Sequence, residues 1–320
     1  MNKALALAAA TSAIAAGIFA GSADAAGVNR IWVSGHGVDQ AGCGAPTAPC
    51  RSLQYAHDNI ASGGEIDILD PAGYGAITIT KSISIVNDGV GTAGVQTSSG
   101  IAINITAGAA DSIYLRGLNI DGVGFTGSTG VQFNTGAKLT IANCVVRHFV
   151  NYGIALAPSS ANVRIGIDDT VSSDNHGGGI AVRPISSSDA KVIIDGVTAQ
   201  GNGGGLEGDG ITVDGGSTTG STGVYISNTN AGNNLGDGLL IENASTASTS
   251  VSIDRSEFDA NTRGIDGEGK TAIFLSNSSM FGNSDIDRFS GGATGSAFIV
   301  FGNNMANSSE GDNFTHQQPF

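Results

Sequence analysis

Asp214, Glu242 and Glu268 each stand four residues after a Gly-apolar pair, at Gly210-Ile211, Gly238-Leu239 and Gly264-Ile265. The same position after the earlier pairs is filled by Asn104, Asn134, Ala157 and Arg183. Apolar and polar residues alternate around these pairs, which is the period of a β-strand, and that period turns this position outward. Stacked in register, the three carboxylates would form a column with Arg183 beside it and neighbours about 5 Å apart. Like charges that close raise one another's pKa unless a cation or an Arg intervenes. Such a column offers oxygen ligands to Ca²⁺, and a carboxylate pair can serve glycoside hydrolysis. The plainer reading is a solvated acidic face that keeps the molecule soluble.

The column exists only if the strands repeat, and they do. Apolar anchors recur at Ile85, Leu115, Ile141, Ile167, Ile194, Ile226, Ile253, Leu275 and Phe301, at intervals of 22 to 32 residues. Two residues after each anchor stand Asn87, Gly117, Asn143, Asp169, Gly196, Asn228, Arg255, Asn277 and Asn303. All but Arg255 are types that tolerate a left-handed backbone. A sandwich has no reason to bend in the same way at every repeat, whereas each coil of a solenoid must turn the same corner. The spacing predicts about nine coils, with Asn87, Asn143, Asn228, Asn277 and Asn303 forming an amide ladder along the corner. A second column, one residue after the anchors, holds Arg116, Ala142, Asp168, Asp195, Ser227, Asp254 and Ser276. A corner position alone accounts for its polarity.

The corner column and the Gly-Ile strand starts, over roughly residues 77–304, resemble the right-handed parallel β-helix of the pectin-lyase-like superfamily. The opening is similar to that of many secreted bacterial β-helix proteins, through Trp32-Val33-Ser34-Gly35, Ala48-Pro49-Cys50-Arg51-Ser52-Leu53 and Ile77-Thr78-Ile79-Thr80-Lys81-Ser82-Ile83. The resemblance implies an all-β solenoid. It does not select an activity, because the fold hosts lyases, hydrolases, adhesins and phage proteins. Pectate lyases of this family use acidic Ca²⁺ ligands and an Arg base, and polygalacturonases use clustered Asp. Neither local series is present in order. Gly35-His36-Gly37 precedes the coils, and Asp168-Asp169 lies at the corner.

Composition narrows the classes. Gly supplies 50 of 320 residues, Pro only 6, and charged residues 13%. Collagen fails for want of a three-residue period, and a coiled coil fails on Gly content. The net charge of −14 leaves no basic footprint for nucleic acid. Lys3, the apolar run Ala4 to Ala20 and Ala23-Asp24-Ala25 read as a signal peptide over 1–25, giving a secreted or periplasmic chain without a transmembrane anchor. Export permits a disulfide between Cys43 and Cys50, with Cys144 left as a small buried residue. Leu53, Ala56 and Ile60 fall at helical spacing, so residues 52–62 are expected to form a short helix plugging the first coil.

The expected domains are an N-terminal cap over 26–76, the parallel β-helix over 77–304 and a loose polar tail over 305–320. The five His show no metal-ligand spacing, and Gly203 to Gly210 reads as a loop inserted in the longest coil. Phe133, Phe258, Phe274 and Phe281 read as core or stacking residues, and Tyr152 and Tyr225 could offer platforms to a sugar. The sequence favours a non-catalytic envelope or surface protein with a polysaccharide or cell-envelope partner. The alternative is a Ca²⁺-dependent polysaccharide lyase or glycoside hydrolase acting on an acidic polysaccharide. No cofactor is certain, Ca²⁺ being the one the column could take, and nothing in the sequence supports an oligomer.

Overall fold

The computed structural model describes residues 28–205, 208–285, 288–290, 296–301, 303–306 and 315–317, with side chains for all but 288–290 and 315–317. The signal segment 1–25 and most of the tail lie outside the described residues.

Each coil lays one strand on each of up to three sheets, and all named strand pairs are parallel. The long sheet has twelve described strands, from Val28–Val33 to Thr315–Gln317. A second sheet of nine strands runs from Ile77–Ile79 to Arg288–Ser290 and carries the carboxylates, so it is called the cleft sheet below. A third, of five short strands, continues as single bridges through Val171, Thr198, Asn230, Glu257 and Ser279.

The anchors are what the long sheet stacks. Ile85 opposes Leu115, then Ile141, Ile167, Ile194, Ile226, Ile253 and Leu275 follow in register, every one buried. Nine anchor strands enclose about eight complete turns. The last anchor differs from expectation: Leu275 opposes Val300 and not Phe301. Burying such a column of aliphatic side chains supplies the main driving force, at about 25 cal/mol per Å² of apolar surface. Phe133 and Phe258 join the core, while Phe274 faces outward half-buried and Phe281 is exposed.

Seven of the nine corner residues adopt positive φ, from Gly117 (70°) and Asn143 (52°) to Asn277 (49°). Arg255 does so at 48°, although its side chain pays for the left-handed conformation. Asn87 and Asn303 are not in that region. Asn87 instead caps a loop, accepting from Gly89 and Val90 N–H and donating to the Gly91 and Gly117 carbonyls. A second left-handed corner, not anticipated, runs through His148, Asp174, Gly201, Asn233, Ala260 and Gly282.

The expected amide ladder at the outer corner is largely absent. Only Asn277 and Asn303 bond one another there, while Asn228 and Asn277 donate to Asp195 and Asp254 on the preceding coils. The true ladder is internal. Asn175 bonds through its backbone N–H and its Nδ2 to Asn202 Oδ1, at 3.1 and 3.2 Å. Asn202 repeats this to Asn234 (both 3.0 Å), and Asn234 to Asn261 (2.9 and 3.1 Å). Asn283 ends the series by accepting from Asn261 N–H at 2.8 Å. Its signal was present in the sequence as an Asn three or four residues before Gly179, Gly238 and Gly264, recurring with the period of the coils.

The ends also differ from expectation. The helix α1 spans Leu53–Asn59, with the Ser52 hydroxyl capping it by accepting from Tyr55 N–H at 3.2 Å. It stops earlier than residue 62 because Ile60 enters the long sheet as the first residue of strand Ile60–Ile68. Ladder pairing thus begins at Val28, well before residue 77, and Met305–Ala306 and Thr315–Gln317 still pair within the expected tail. Cys43 and Cys50 form a disulfide with Cα atoms 5.0 Å apart, and Cys144 is free and buried, its thiol pushed up to about 11 by burial.

Candidate functional site: the acidic cleft

The outward column of the cleft sheet is assembled by strand register. Val182 opposes Val213, which sets Arg183 beside Asp214. Asp214 opposes Glu242, and Glu242 opposes Glu268. Strands about 4.8 Å apart therefore hold three successive carboxylates on one face. The alignment fails at its upstream end. The Gly100-Ile101 pair sits two positions earlier along the ladder than Gly130-Val131, so Asn104 opposes Gln132 and not Asn134. Asn134 still reaches it diagonally, donating from Nδ2 to Asn104 Oδ1 at 3.0 Å.

Asp214, Gly216, Ser217, Glu242, Asn243, Ala244, Glu268 and Gly269 line a cleft of about 450 Å³. Asp214 is pinned by accepting from Gly216 N–H at 2.7 Å. The Glu242 carboxyl is held above the usual range, first by burial and then by Asp214 and Glu268, with Arg183 pulling the other way. Arg183 also lies over the Tyr152 ring, 5.0 Å from its centroid. Both residues line a second hollow of about 240 Å³, with Gln132, Asn151 and Ala155. The cleft sheet thus offers a continuous strip, amide and aromatic at one end and carboxylate at the other, joined at Arg183.

The three carboxylates lie along a line, one per strand. Among the described residues no three acidic, imidazole or thiol side chains gather closely enough to hold one metal ion. Ca²⁺ needs six to eight oxygens around a point, so this column is not a ready-made calcium cage.

One acid group escaped the sequence reading. Arg263 places its guanidinium 3.0 Å from Asp237 Oδ2 and 3.1 Å from Asp266 Oδ2, with both carboxylates buried. Asp209, also buried, accepts from Asp237 N–H at 2.8 Å. Burial pushes Asp209 and Asp237 up despite Arg263. Asp209 opens its strand and Asp266 stands second in its own, while Asp237 and Arg263 lie in loops before the strands, so no single interval relates the four. They tie successive coils together beside the carboxylate column, Asp266 lying two residues before Glu268 in the same strand.

The second column also stands in register, from Arg116 and Ala142 through Asp168, Asp195, Ser227 and Asp254 to Ser276. It lies on the long sheet, away from the cleft. Asp195 is held down by Ser227 and Asn228, whereas Asp168 is pushed up by burial and by Asp195 and Asp169.

The family model described as the right handed beta helix region matches residues 129–314. No curated protein matches the sequence. Among solved structures, the crystal structure of pectate lyase Pel9A is similar with a TM-score of 0.64 and 15% identity, covering 91% of this chain and 80% of that one. At that identity the likeness is one of fold. The parallel register, the buried anchor column and the family match together establish that this chain belongs to the right-handed β-helix family.

Proposed function

We propose that this chain is an exported, non-catalytic β-helix protein that binds a glycan along the cleft sheet. The observation that carries the reading is the strip itself: Gln132, Asn134, Tyr152, Arg183 and the carboxylates follow one another on one open face, parallel to the stack. A linear sugar polymer presents hydroxyls at intervals that amides and carboxylates can accept or donate to, and an aromatic ring gives contact area at little entropic cost. Export rests on the sequence of residues 1–25 and places the partner in the periplasm or at the cell surface. The binding test is calorimetric titration with neutral and uronate oligosaccharides. Tyr152→Ala is expected to weaken binding about tenfold, the loss typical of a truncated aromatic anchor. Binding that ignores both Tyr152→Ala and Glu242→Gln would sink the reading.

A second reading follows from Glu242. A carboxyl raised above the usual range by burial and by two neighbouring carboxylates resembles the acid and base of a glycoside hydrolase, where separation of the pair decides the stereochemistry. That reading requires release of reducing ends from a polysaccharide, abolished by Glu242→Gln. An enzyme of the lyase type would instead release unsaturated ends.

A further inference from the structure

The outer face of the long sheet carries three parallel rows of side chains. The central row is Thr140, Gly166, Ile193 and Tyr225. Two residues earlier in the same strands, about 7 Å to one side, lie Lys138, Arg164 and Lys191. Two residues later, about 7 Å to the other side, lie Ala142, Asp168 and Asp195. Over the strands Val163–Asp168 and Ala190–Asp195 the face is therefore basic, neutral and acidic in successive stripes, with Arg116 and Ala142 preceding Asp168 in the third row.

Among the described residues the basic row has no ion pair or side-chain hydrogen bond. Of the 14 Lys and Arg, all but Lys3 and Arg288 have described side chains. Nine of these twelve engage a carboxylate, a backbone carbonyl or an aromatic ring. Lys138, Arg164 and Lys191 are the three that form no ion pair or side-chain hydrogen bond, and they stand on adjacent strands. Lys191 only helps to hold down the Asp189 carboxyl from a distance. In the acidic row Asp168, which lines one shallow hollow with Lys138, Arg164 and Lys191, is pushed up by burial and by Asp195 and Asp169, while Asp195 accepts from Ser227 and Asn228. Between the rows the neutral stripe leaves large apolar surface in water. Ile193 is 52% exposed and Tyr225, next to it in register, 41%.

These stripes are complementary to themselves. A two-fold axis parallel to the stack, running between two such faces along the central row, exchanges the basic and acidic sides. It brings Arg164 of one copy over Asp168 of the other and Lys191 over Asp195, twice each, while Ile193 and Tyr225 meet their own counterparts. We infer that the long-sheet face around Gly166 and Ile193 is an isologous docking surface for a second copy of this chain. Two-fold contacts of this self-complementary kind are the commonest in homo-oligomers. The five strands from Ser112–Arg116 to Thr222–Ser227 span an area on the order of 400 Å², half that of a standard interface side, so the dimer is concentration-dependent. The partner's surface lies away from the cleft, and glycan binding there is independent of it.

The test is sedimentation velocity on the full mature chain across a concentration series. The wild type is expected to dimerise, more weakly at high salt. Arg164→Asp and Asp168→Arg should each weaken self-association more than about tenfold, because each homodimer now faces like charges twice. An equimolar mixture of the two variants should recover the dimer, because every pair is again opposite in sign. Ile193→Asp, on the axis, should give a monomer that no partner rescues, and it carries the test should a charge variant fail to fold. A wild type monomeric at the highest attainable concentration would overturn the inference, as would a mixture that stays monomeric. So would a monomer retained on a sulfated polymer and released by Arg164→Asp, which would make the row a polyanion site.

Discussion

Two stacks of side chains climb this solenoid with nearly the same spacing and opposite outcomes. One is the internal ladder of Asn175, Asn202, Asn234 and Asn261; the other is the outward column of Asp214, Glu242 and Glu268. An amide both donates and accepts, so each Asn satisfies the next and the stack closes on itself, out of water. A carboxylate only accepts, so stacking leaves each one facing a like charge. The first arrangement holds the coils together. The second stays half-buried with like charges side by side, which suits a surface that meets a ligand. A stack of one group per coil yields an internal ladder or a charged face according to whether the repeated group can pair with itself.

The largest expected effect comes from breaking the ladder. Asn202→Ala removes the acceptor for both the backbone N–H and the Nδ2 of Asn175, in a site fully closed to water. Two buried donors left unmade cost about 3 kcal/mol, to be read from urea unfolding as a drop in midpoint at constant slope. A smaller change would mean that water enters the corner and takes the place of the amide. A middle effect belongs to the outer corner. Asn143 is exposed at φ 52° with no side-chain bond, so Asn143→Ala should cost about 1 kcal/mol and Asn143→Gly almost nothing. Equal losses in the two variants would show that the side chain, and not the backbone, matters there.

The smallest effect is expected in the carboxylate column and has the opposite sign. Glu242 has a folded pKa above its unfolded value, so its penalty is absent below the ordinary carboxylate range and accumulates as pH rises through the raised value. Glu242→Gln should therefore stabilise at pH 7 by less than about 1 kcal/mol, given partial exposure, and leave acid stability unchanged. Thermal melts of both proteins at acid and neutral pH measure the gap. A destabilised Glu242→Gln at pH 7 would mean that the carboxylate has a cationic partner, and would erase the contrast between the two stacks.

What could be read in the sequence followed from side-chain type and interval. The aliphatic anchors, the left-handed corner at Gly117 through Asn277 and the Asp214–Glu242–Glu268 column all recur at a spacing that a single chain displays openly. The upstream slip of Asn104 against Gln132 was invisible, because a two-residue offset preserves the alternation of faces while changing the partner. The internal Asn ladder was misplaced to the outer corner for a related reason: both corners bend through left-handed residues, and only packing decides which one is closed to water. The group of Asp209, Asp237, Arg263 and Asp266 could not be read from strands at all, since it joins loop and strand starts of successive coils. The sequence by itself determined the period, the core and the hand of the corners, since these are local properties repeated coil after coil. Only the tertiary structure decided which polar stack is buried and which is half-buried, because burial depends on what the neighbouring coil places over each side chain.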